Sequence, residues 1–159
     1  MTKAVQDLMV AVERVVDAFH TAVFEAGDLE AAMRMVTDDV VLATLPVGTG
    51  ATGAAALRRH LADDVLGHRP ADLTFRRLSR TGNRWTVADE RVVSFTHDRV
   101  MPWVLPGVAA THRHVEVLVT TVVAVQRDRV VRHRTLWDHH GLLTGLGLLP
   151  DPAGNGTRW

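Results

Sequence analysis

Trp137-Asp138-His139-His140 puts an indole, a carboxyl and two imidazoles in consecutive positions, just before a leucine-glycine run that ends at Pro150. A carboxyl partly withdrawn from water beside Trp137 could take a proton from a carbon next to a carbonyl, or give one to a carbonyl or epoxide oxygen. Asp138 suits a second task equally well, since aspartate is a favoured cap for a helix starting near Gly141. His97-Asp98 is another candidate pair, an imidazole that works near neutral pH with a carboxylate beside it. Glu90 and Glu116 lie in apolar company, where an unpaired carboxylate is costly. Each is therefore either paired with one of Arg91, Arg113, Arg132 and Arg134 or turned inward as an acid.

Other chemistries find less support. His112, His114 and Glu116 share one side of a strand, which makes a metal triad geometrically available. Adjacent His139 and His140 diverge on either a strand or a helix, and no nearby residue completes a ligand set, so no metal is expected. Ser79 and Ser94 are the only serines and neither sits in a Gly-x-Ser-x-Gly elbow. The glycine-rich Pro46–Gly53 lacks the Lys-Ser/Thr of a phosphate loop. With no cysteine there are no thiolate nucleophiles, disulfides or Cys-containing zinc sites.

The elements that would position these residues can be read from periodicity. From Val5 to Phe24 apolar residues recur at three- and four-residue steps, the mark of an amphipathic helix. A short second helix is expected over Leu29–Met35, a strand over Val40–Leu45, a loop over Pro46–Gly53 and a third helix over Ala54–Leu66. Runs of β-branched residues bounded by turn signals then predict strands over Leu73–Leu78, Trp85–Thr96, Val115–Val125 and Val130–Trp137. Helices followed by long antiparallel strands make an α+β domain, a cone in which a curved, mostly antiparallel sheet wraps around three N-terminal helices. One domain over residues 1–150 is expected, with a flexible tail over 151–159.

Such a cone encloses a pocket, and strand alternation sorts its candidates. Glu90, Val92, Ser94, Thr96 and Asp98 share one face; Asp89, Arg91, Val93, Phe95 and His97 share the other. Alternation leaves open which face is inside. Glu90 is favoured over Glu116 as an inward acid, because Val92, Ser94 and Thr96 suit a lined cavity. Trp85, Trp103, Trp137, Phe95 and Met101 are most simply core and pocket wall.

Eighteen basic residues balance eighteen acidic ones, so the chain lacks the charge footprint of a nucleic-acid or anionic-membrane binder. The N-terminal twenty residues mix charges among the apolar ones, unlike a signal peptide or a membrane span. A soluble cytoplasmic protein is expected.

Four segments, Asp38–Gly53, Ser79–Val108, Arg113–Val125 and the closing LWDHHGLLTGLGLLP, together resemble the SnoaL-like branch of the nuclear transport factor 2-like superfamily. The resemblance covers most of the chain. It implies an α+β cone, frequently a homodimer, with a largely apolar pocket. Members include polyketide cyclases, ketosteroid isomerases and epoxide hydrolases, none needing a cofactor, and noncatalytic binders. It also implies an acid/base aspartate near Asp138. Two departures introduce histidine: Ala110-Thr111-His112-Arg113 stands where PTGR is usual, and Trp137-Asp138-His139 where WDQ is usual.

The expectation is then a cyclase or isomerase acting without cofactor on a small apolar, polyketide-like carbonyl metabolite. Asp138 is its first proton shuttle, His97 or His139 its partner, and Glu90 an acid that orients a substrate oxygen. Trp103, Trp137, Phe95, Met101, Thr96, His114 and Glu116 are the expected binding residues. The alternatives are an epoxide or lactone hydrolase, built from Asp98, Glu90 and Arg91 or Arg134, and a noncatalytic pocket that works by shape.

Overall fold

Helix α1 (Lys3–His20) starts where the Thr2 hydroxyl accepts from Val5 N and buries the stripe Val12, Val16 and Phe19. It runs on as a π-helical turn, Thr21–Ala26, and stops at left-handed Gly27. α2 (Leu29–Arg34) begins at Asp28, whose carboxylate accepts from Ala31 N at 2.9 Å. α3 (Ala54–His60) likewise continues through a π-helical turn, Leu61–Val65, into a 3-10 turn, Leu66–His68. In this computed structural model, residues 1–151 are described; the expected tail lies outside them apart from Asp151.

Six strands form one sheet in the order β2-β1-β6-β5-β4-β3: β1 (Val36–Leu45), β2 (Thr49–Thr52), β3 (Thr74–Gly82), β4 (Thr86–Thr96), β5 (His114–Gln126) and β6 (Arg129–Trp137). Every pair is antiparallel except β1 with β6, which run parallel. The sheet curves around the three N-terminal helices, as the alternating patterns predict. A closing helix, α4 (His139–Gly145), follows β6 directly.

Two elements depart from the sequence reading. β1 begins at Val36, four residues before the expected strand, and bulges between Val36 and Val41. The segment expected to be a loop contains β2, which pairs with β1 through Gly50 opposite Ala43. Glycine fits this edge for a steric reason. At Gly50, with φ 140°, a Cβ would lie 2.0 Å from the Leu42 carbonyl oxygen, so only a residue without one lets the backbones approach.

Register brings distant residues into rows on the inner face of the sheet. One row reads Arg80, Asp89, Thr121, Thr135, Thr44 across five strands; the next reads Arg77, Arg91, Val119, Trp137. A bulge in β3 between Arg77 and Ser79 puts both Arg77 and Arg80 on the side of Asp89, which two residues three apart in a regular strand would not share. Phe19, Val23, Leu57, Leu61, Val93 and Phe95 are among the residues that fill the core between this face and the helices.

Candidate active site

Between the helices and the inner face lies a narrow cavity with room of about 30 Å³ for the centres of water-sized molecules, enough for about two waters. Its walls are mostly apolar: Phe19, Val23, Phe24, Leu61, Phe75, Trp103 and Trp137. Trp103 and Trp137 meet edge to face with centroids 5.7 Å apart, and Trp103 also packs on Phe24. The polar residues facing the cavity are His20, His60, His133, Arg91 and three threonines, Thr44, Thr121 and Thr135. Among the described residues six carry a buried side-chain nitrogen without a hydrogen-bond partner, and four of these line this cavity: His60, Trp103, His133 and Trp137. Unsatisfied buried polar atoms are costly, so their concentration in one cavity marks it as a place where polar partners are expected.

His60 reaches the cavity from the last residue of α3, three residues after buried Leu57 and so on the same side of the helix. Its Nδ1 lies 2.9 Å from Asp64 Oδ2, one turn along the helix. A carboxylate only accepts, so this contact puts a proton on Nδ1, and in the neutral ring the lone pair is then on the buried, unpartnered Nε2. The pair has the form of a general base with its orienting carboxylate.

Arg91 is the buried cation of the cavity, and a chain of ionic contacts fixes it. Its Nη2 donates to Asp89 Oδ2 at 2.9 Å and its Nη1 to His20 Nδ1 at 3.0 Å. Both Asp89 oxygens also accept from Arg80, which in turn donates to Asp17 on α1. Burial works against the charge of Asp89, yet the Arg80 hydrogen bond and the charges of Arg91, Arg80 and Arg77 hold it below the usual carboxylate range. Burial likewise disfavours the charge of Arg91, which for a base lowers its pKa. The N–H groups that Arg91 does not spend on Asp89 and His20 are free for a ligand.

The two remaining histidines are neutral. Burial, with the charge of Arg91 beside it, lowers His133 to about 4. Burial and the charges of Arg91 and His133 lower His20 to about 3. Since His20 Nδ1 accepts from Arg91, its proton resides on Nε2. The cavity therefore holds one cation, two neutral imidazoles and an imidazole backed by a carboxylate.

Of the residues singled out from sequence, Trp103 and Trp137 line the cavity. Phe95 and Met101 are fully buried core residues outside its lining. Asp138 is placed differently from the expectation of a proton shuttle. It is exposed, and its Oδ1 accepts from Gly141 N at 3.0 Å, capping α4. His139 is the first residue of that helix and also lies outside the lining. Glu90 is exposed and accepts from Ser79 Oγ at 2.6 Å. The inner face of β4 is the one carrying Asp89 and Arg91, because the arginines of β3 neutralise Asp89 there, whereas among the described residues no arginine pairs with Glu90.

Thr96, His114 and Glu116 lie on the outer face with Glu90. Thr96 donates to Asp72, His114 touches Ser94 and Thr96, and Glu116 is exposed. His97 is fully buried but serves a loop: its Nδ1 accepts from Thr111 N, and its backbone joins β4 to Arg113 and His112. Asp98 pairs with Arg99 on the surface, and Arg134 is exposed, so the carboxylates and arginine expected of a hydrolase do not converge on one water.

Sequence reasoning passed over His20, His60, His133 and Asp89. A signal existed for each histidine. His20 and His60 continue the apolar stripes of their helices, and His133 alternates with Thr135 and Trp137 on one strand face.

A family description, SnoaL-like polyketide cyclase, matches residues 13–146. No curated protein matches the sequence. Among solved structures, the chain is similar to AclR of Streptomyces galilaeus, named a candidate hydroxylase, at 20% identity and a TM-score of 0.66, covering 90% of this chain and 89% of that one. An LEH-like epoxide hydrolase of M. tuberculosis aligns at 18% identity and a TM-score of 0.60, covering 87% and 90%. A candidate SnoaL-like polyketide cyclase from Jannaschia Sp. CCS1 aligns at 14% identity and a TM-score of 0.70, covering 90% and 96%. At these identities the likeness shows the fold.

Proposed function

Because the chain belongs to the SnoaL-like polyketide cyclase family, we propose that it is a proton-transfer enzyme, a cyclase or isomerase that needs only its own side chains and acts on a small, mostly apolar carbonyl compound. The observation that carries this reading is His60, a buried imidazole oriented by Asp64, facing the same cavity as Arg91.

His60 Nε2 takes a proton from the carbon next to the substrate carbonyl. As charge moves onto the carbonyl oxygen, the free N–H groups of Arg91 stabilise it in a site with little water. Asp64 stabilises the imidazolium that forms. In an isomerisation His60 returns the proton to a different carbon. In a cyclisation the enolate carbon attacks a second carbonyl of the same molecule, and His60 returns the proton to the new alkoxide. Trp103 and Trp137 supply indole N–H donors for a further oxygen.

The cavity in its resting form admits about two waters, so ring side chains must turn for a substrate to enter. Hydrolysis by a carboxylate-activated water is the weaker reading, since both Asp89 oxygens accept from arginine and no carboxylate lines the cavity among the described residues.

Exchange of the α-protons of 2-tetralone in D2O, followed by NMR, tests the proposal without knowledge of the natural substrate. The native protein is expected to accelerate exchange, and His60→Gln to slow it by about a hundredfold or more. Binding without acceleration would leave the pocket a noncatalytic one.

A further inference from the structure

A second pocket opens on the surface directly beside the cavity, with about 230 Å³ of room on the same measure. The two share a wall: His20, Phe75 and Arg91 line both. The outer pocket adds Asp17, Thr21, Glu25 and Arg77, which makes it polar where the cavity is apolar. Asp17 and Arg77 are occupied with each other. Glu25 and Thr21 are exposed, and neither side chain has a hydrogen-bond or ion-pair partner among the described residues.

The shared wall consists of side chains. The Phe75 ring meets His20 edge-on at 4.7 Å and Phe24 at 5.0 Å. Phe75 belongs to β3, the edge strand of the sheet, so rotation about its side-chain bonds leaves the strand pairing with β4 intact. The inner cavity is far smaller than the pockets that enclose small molecules, typically about 300 Å³ or more. A ligand longer than a ring or two must therefore extend beyond it, and the outer pocket is the adjoining space.

We propose that the outer pocket is a second subsite for the same ligand, which is elongated: its apolar reacting end lies in the cavity, and a hydrogen-bond-donating end, hydroxyl or ammonium, is held by Glu25 and Thr21. The connecting chain passes where Phe75 and His20 now meet. This rests on the reading that the cavity takes the reacting end. A carboxylate end is disfavoured, because it would face Glu25 while the charges of the two arginines in this pocket are already paired, Arg77 with Asp17 and Arg91 with Asp89.

Four compounds with a common phenylbutyl body test the subsite: 4-phenylbutylamine, 4-phenylbutan-1-ol, 4-phenylbutyrate and butylbenzene. Binding is read from tryptophan emission in a Trp85→Phe, Trp159→Phe background, which leaves Trp103 and Trp137 as reporters. The amine and the alcohol are expected to bind about fivefold tighter than the carboxylate at low salt. Glu25→Gln is expected to remove the amine's advantage over the carboxylate, and Thr21→Val to weaken the alcohol. If butylbenzene perturbs the emission but all end groups bind alike, or if the amine's preference survives Glu25→Gln, the subsite is overturned while the cavity reading stands. If none of the four perturbs it, both fall.

Discussion

His133 sits in the interior as a neutral ring, and this choice of protonation state carries a pH dependence. The unfolded ring titrates near 6.5 and the folded one at about 4, so below pH 6.5 the unfolded chain binds the extra proton. Stability therefore falls as pH drops from about 6.5 to about 4, by on the order of 3 kcal/mol from this residue. His20, displaced in the same direction, adds to the fall. Urea denaturation at stepped pH checks it: His133→Gln is expected to flatten the slope between pH 6.5 and 4, and an unchanged slope would assign the dependence elsewhere. These histidines escaped the sequence reading because a lone histidine on an apolar stripe carries no mark of its neighbours. His60 is the partial exception, since Asp64 follows one turn later on the same helix. Arg91 meets His20 across 71 positions of chain, a distance over which no local pattern speaks.

Among the elements, α4 offers a clear separation of structural from chemical roles. Asp138→Ala is expected to cost about 1 kcal/mol through loss of the cap and to leave kcat unchanged, while Asp138→Asn keeps both. A large loss of kcat in Asp138→Asn, measured beside its urea midpoint, would return this residue to the chemistry. The strands were legible from β-branched alternation to within a few residues, and the first and third helices from their apolar spacing. The face of β4 was not. Glu90 lies among Val92, Ser94 and Thr96, a gentler setting than that of Asp89 and Arg91, and hydrophobicity alone prefers it inside. The structure inverts this because Arg80 and Arg77, delivered by the β3 bulge, neutralise Asp89. Short β2 was hidden for a related reason: the glycines that make it read as a loop are what let it approach β1.

At the scale of the whole molecule, Arg80 joins sheet to helix by linking Asp89 on β4 with Asp17 on α1. Arg80→Met leaves Asp89 short of its main partner and is expected to cost about 3 kcal/mol, seen as a lower urea midpoint at unchanged m-value. A loss below about 1 kcal/mol would show that Arg77 and Arg91 hold Asp89 unaided. The sheet order has a consequence for how the chain is made. β1 lies next to β6, and Val36 pairs with Val130, 94 positions later. At ribosomal rates that interval lasts roughly 5 to 20 s. Throughout it the early helices and β1 have emerged while the strand that completes their side of the cone does not yet exist. Phe19 and Val23, and Leu57 once it is made, all buried in the finished fold, face solvent or a chaperone in the meantime. The protein is thus most exposed to aggregation during its own synthesis, and slowing translation between β1 and β6 would lengthen that exposure.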